Sequence, residues 1–193
     1  MNTTLANRAA AQLRPLRIAR SAALAAALFL LANMVLAIMA PDQMGDHATT
    51  AGRLSEAVVG VSFLAGAVAL AALLPRPASA RWFWLMGIAG LATSGLTMVA
   101  VFATALEPPF QLFLAEVAVT VPALVAIGVS GVRRRNWPWW VGLGIALLLP
   151  IMFALPFNSL IMAGVWVLAA WQFTAAPDMP DAPDVADVSN FRQ

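Results

Sequence analysis

The sequence predicts an all-α integral membrane protein, a single bundle of six transmembrane helices. Two observations of composition carry this: 62% of the 193 residues are hydrophobic and only 10% are charged, and the mean hydropathy is +0.84. Soluble domains carry about 25% charged residues. The third observation is where the charges fall, because nearly all lie between long apolar runs and Glu116 alone sits well inside one. A helix that crosses a bilayer needs about 20 predominantly apolar residues. Six stretches meet or approach that length, at 21-40, 57-74, 82-106, 110-132, 137-155 and 157-174.

Residues 1-20 form a basic arm with Arg8, Arg14, Arg17 and Arg20. It fits a topology-setting segment, or a short interfacial helix broken at Pro15 and lying on anionic lipids. The first span could pass for a secretion signal, but its apolar run is too long for one and Pro41 directly follows the small residue Ala40. It is expected to be retained. The third span is long enough to tilt, and Pro108 and Pro109 turn the chain into the fourth. The last two spans are short, Pro150 should kink the fifth, and little more than Pro156 separates them. The tail 175-193 mixes Pro, Asp and small residues and cannot bury enough apolar surface to order itself.

Arginine placement sets the expected orientation, since short basic loops stay in the cytoplasm. Arg76 and Arg81 fall in the second loop and Arg133, Arg134 and Arg135 in the fourth, whereas Arg53 is alone on the other side. Both termini are therefore expected in the cytoplasm, with the chain in the cell membrane. Trp82, Trp84, Trp137, Trp139, Trp140 and Trp171 fall beside the arginine loops, as an interfacial aromatic belt would. Trp166 lies deeper.

A computed pI near 11.0 suggests nucleic-acid binding, but the net charge is only +2 and every basic residue is Arg. No nucleic-acid partner is expected. The chain has no Cys and one His, which excludes thiol chemistry and bis-histidine haem and leaves an intramembrane serine nucleophile without a base. No cofactor and no catalytic constellation is expected. His47, with Asp42, Asp46 and Glu56 nearby, has metal-binding residue types but no specific spacing, so a solvated loop is the simpler reading. Glu56 then serves the dipole of the second helix, with Ser55 as its cap.

Helices in lipid associate through small and polar side chains at helical spacing. Such seams run through Ala22, Ala26, Asn33, Ala37 and Ala40; through Ser62, Ala65, Ala69 and Ala72; and through Gly87, Gly90, Ser94, Thr97 and Thr104. In the fourth span the seam is Glu116, Thr120, Ala123, Ile127 and Ser130. At a rise of 1.5 Å per residue, Glu116, Ser62 and Asn33 each fall roughly 10 Å below the outer surface, with Thr97 and Thr120 deeper. A carboxyl there must be neutral, solvated through a cavity or bonded to donors. One reading makes Glu116 a clasp to Asn33, Ser62 or Thr120. The other makes Glu116, Asn33, Ser62, Thr97 and Thr120 the lining of an outward-facing pocket for a small polar solute or a cation. The function expected is thus transport or binding of such a solute, with a non-catalytic structural or interaction subunit as the alternative.

Overall fold

The computed structural model describes residues 3-75, 78-155 and 157-173. The expected tail at 175-193, with Arg76 and Pro156, lies outside them. Among the described residues the chain is all-helical: α1 (Thr3–Met39), α2 (Thr50–Ala72), α3 (Ala78–Thr104), α4 (Phe110–Arg133), α5 (Trp139–Ala146), α6 (Leu148–Ala154) and α7 (Asn158–Gln172), with a short 3-10 turn at Pro41–Gln43. Four helical stretches, Arg14–Met39, Thr50–Ala72, Arg81–Thr104 and Phe110–Arg133, are long and apolar enough to cross a membrane.

The expected fifth span is two short helices of 8 and 7 residues, and α7 has 15 residues. Pro150 explains the break. Its missing N–H leaves the Ala146 carbonyl without a ladder partner and its ring crowds that carbonyl, so α5 ends at Ala146 and α6 restarts at Leu148. Helical hydrogen bonds at Leu147 N to Leu143 O (3.0 Å) and Ile151 N to Leu147 O (2.8 Å) carry the chain through the bend. Pro15 behaves differently. The break expected there does not occur, because α1 continues through Pro15 from Thr3 to Met39. Alanine-rich sequence on both sides, the best helix-forming composition, sustains the helix across one lost bond.

The helices close a ring in chain order: α2 packs between α1 and α3, α4 between α3 and α5, and α7 meets α6 and returns to α1. Ala19, Ala23, Ala26, Leu30 and Asn33 form the buried stripe of α1 at alternating four- and three-residue steps, which lets α2 approach closely. Ser62 Oγ donates to the Ala26 carbonyl at 3.0 Å. One end of the ring gathers arginine and tryptophan, and the other carries Asp42, Asp46, His47, Glu56 and Glu107. At the arginine end Trp82, Trp139 and Trp171 are exposed while Trp84 and Trp137 are buried. The expected belt therefore divides, because Trp84 Nε1 donates to Ser130 Oγ at 2.9 Å and its ring lies 5.9 Å from that of Trp137.

Candidate functional site

At the acidic end the loop between α1 and α2 folds down onto the bundle. Gly45 takes φ +79 to make the turn, and a Cβ on Gly52 would collide with the Asp46 carbonyl, so two glycines permit the loop to sit this low. Thr49 caps α2 by accepting from Gly52 N at 3.0 Å, and its hydroxyl donates to the Asp46 carbonyl at 2.8 Å. Thr49, not Ser55, is thus the cap. Ser55 lies inside α2 and donates to Asn33 Oδ1 at 2.6 Å.

This loop sets His47 over a cavity of about 250 Å³ bounded by α2, α3, α4 and α6. Its polar lining is His47, Glu56, Ser94, Thr97 and Glu116, and the rest of its wall is apolar, including Phe63, Met98, Phe113, Met152 and Phe153. Thr97 Oγ1 donates to Glu116 Oε1 at 2.8 Å. Glu116 lies six residues into α4 and Thr97 seven residues before the end of α3, so both are roughly 10 Å from the helix ends. That shared depth is why they meet. Phe113 and Phe153 pack edge to face with centroids 5.4 Å apart and join α4 to α6.

At the mouth, His47 Nε2 is 3.3 Å from Glu56 Oε1 and His47 Nδ1 is 3.6 Å from Glu107 Oε1. Among the described residues His47 thus has a hydrogen-bond partner in Glu56 alone, while its Nδ1 reaches Glu107 only at ion-pair distance and has no hydrogen-bond partner. Glu107 is 80% exposed, against 24% for Glu56, and solvent weakens its pairing with His47. Among the described residues no group of three or more His, Cys, Asp or Glu side chains is placed to hold a metal ion.

Of the five residues expected as pocket lining, Glu116 and Thr97 come together in the cavity and the others lie elsewhere. Asn33 Nδ2 donates to Ser159 Oγ at 2.8 Å, which with the Ser55 bond ties α1 to both α2 and α7. Ser62 is committed to Ala26. Thr120 is fully buried, and a Cβ on Gly90 would collide with its hydroxyl, so it packs α4 against α3. Glu116 therefore pairs with none of the three partners expected for a clasp.

His47, Glu56 and Ser94 complete the polar lining. Reading Thr49 as a helix cap would have signalled Glu56, since it moves the start of α2 to Thr50 and places Glu56 two turns inside the helix. No known family, curated protein or solved structure matches this chain.

Proposed function

We propose that the chain is a non-catalytic, multi-pass cell-membrane protein that binds a small polar solute or cation in the cavity around Glu116, as a transporter or a solute-binding protein does. The observation that supports this reading is a carboxylate on the wall of a cavity, bonded to one hydroxyl, in a long and mostly apolar helix. A carboxyl needed only for packing is better placed in a dry seam. If the cavity takes a solute, the infrared carboxyl band of wild-type protein should shift when a member of a panel of polar solutes and cations is added, and the shift should vanish in Glu116→Gln. A band unmoved by every solute, at every pH the protein tolerates, would leave Glu116 as a packing device.

In this reading the lipid bilayer surrounds the ring, anionic lipids meet Arg14, Arg17 and Arg20 on α1, and the arginine end faces the cytoplasm with both termini. The cavity then opens outward. A cysteine at Ala48 should react with an impermeant thiol reagent added to intact cells and one at Asn136, beside the arginine run, should not. The reverse pattern would invert the protein.

A structural or interaction subunit is the alternative reading. Asn33 and Ser62 favour it, because hydrogen bonds between helices account for both, whereas the buried Thr120 hydroxyl packs against Gly90 with no hydrogen-bond partner among the described residues. It does not account for the cavity.

A further inference from the structure

Resting on the reading of the cavity as a solute site, we propose that its ligand is an organic cation with an apolar body, an amine or quaternary ammonium of the arylalkyl type. The chemistry of the wall selects this class by elimination and by fit. Calcium takes six to eight oxygen ligands and magnesium a near-octahedral set, and no group of three or more ligating side chains is placed for a metal among the described residues. An anion would face two carboxylates, Glu56 and Glu116. A sugar or polyol presents hydroxyls on every side, and most of this wall would leave them unpaired, at the desolvation cost of each.

An organic cation meets both the acidic and the apolar parts of the lining. Its charged head pairs with Glu116, whose Oε1 is already oriented by the Thr97 hydroxyl at 2.8 Å. Its body lies against the edge-to-face pair of Phe113 and Phe153 and against the thioethers of Met98 and Met152. Aromatic faces attract cations, more strongly when both are desolvated, and methionine adapts to irregular apolar shapes. A mostly apolar cavity with a few convergent polar groups is the usual form of a small-molecule site. Glu56 supplies a second carboxylate near the mouth.

Calorimetric titration of the purified full chain in detergent tests this. The probes are benzyltrimethylammonium, phenethylammonium, the neutral 2-phenylethanol, sodium and calcium. The two organic cations should bind, each at least about tenfold more weakly to Glu116→Gln, which corresponds to about 1.4 kcal/mol. Asp42→Asn, which removes an exposed acid of the same end that does not line the cavity, should bind them as wild type does. Thr97→Val serves as a second variant that keeps the carboxylate but removes its positioning bond, and it should weaken both cations by a smaller factor. If 2-phenylethanol binds as tightly as the cations and Glu116→Gln changes nothing, the ligand class is wrong while the solute site stands. Binding of sodium or calcium alone would also overturn the class and leave the site. Binding of no probe would overturn the class, and the site falls with it only if the infrared carboxyl band is also unmoved by every solute.

Discussion

Trp166→Ala should destabilise the folded chain by about 3-5 kcal/mol, the usual range for truncating a buried tryptophan. Trp166 is 1% exposed and projects from α7 across the ring to α2, where a Cβ added to Gly66 would lie 2.5 Å from its Cζ2. Glycine on one helix and the largest side chain on another are matched there. Association of helices in lipid relies on such packing, since transfer between lipid and core gains little for an apolar group. Truncation thus leaves a cavity that no backbone movement of α2 alone can fill. The midpoint of denaturant unfolding in mixed micelles reads the loss. A loss below about 1 kcal/mol, the size of a mild core change, would mean that Trp166 does not plug the ring.

The same residue shows how far the sequence could be read. Trp166 stands apart from the tryptophans beside the arginine loops by its depth, but only the packed helices show that it is buried. Trp84 and Trp137 carry no such mark, because position beside arginine fits both an interfacial ring and a buried one. What separates them from Trp82 and Trp139 is the facing helix, which supplies Ser130 to one indole and the Gly128 carbonyl, at 3.4 Å, to the other. The four longest helices and their small-residue seams were legible because length and helical spacing are properties of one segment at a time. Ala26, Ser62, Ala69, Gly90, Thr120 and Ile127 are buried as their spacing implies, but Thr104, expected on the third seam, is exposed and donates to the Ala100 carbonyl of its own helix.

Adjacency was not legible, and the site depends on it. Asn33, Ser62 and Glu116 were expected at one level, but the count for Ser62 began at residue 57 and α2 begins at Thr50. Seven residues of helix is roughly 10 Å, so Ser62 lies that much deeper, opposite Ala26, and Ser55 takes the place beside Asn33. Glu116 escaped this error because Pro108 and Pro109 fix the start of α4 in the sequence itself, whereas Thr97, expected deeper, lies level with Glu116 because α3 ends at Thr104 and not at residue 106. The break between α5 and α6 follows from Pro150, a signal that was read as a kink.

The second large effect is expected where α4 meets α5. A Cβ on Gly128 would collide with the Gly142 carbonyl, and one on Gly142 would sit 2.8 Å from the Gly128 carbonyl. Backbone meets backbone here, so no rotamer change can make room. Gly131, about one turn on, lies instead under a side chain, the Trp137 ring. Gly128→Leu should therefore force α5 away from α4, break the bond from Trp137 Nε1 to the Gly128 carbonyl, and cost at least the roughly 1-3 kcal/mol typical of overpacking, measured as for Trp166→Ala. Gly128→Ala should show a smaller loss of the same sign. Twelve residues separate Gly128 from Glu116 along α4, about 18 Å, and the cavity lies at the other end of the ring. In Gly128→Leu protein that remains folded, the Glu116 carboxyl band should match wild type. A shifted band would mean that displacement of α5 is carried along α4 to the cavity, and an unchanged unfolding midpoint would mean that α4 and α5 do not meet at these glycines.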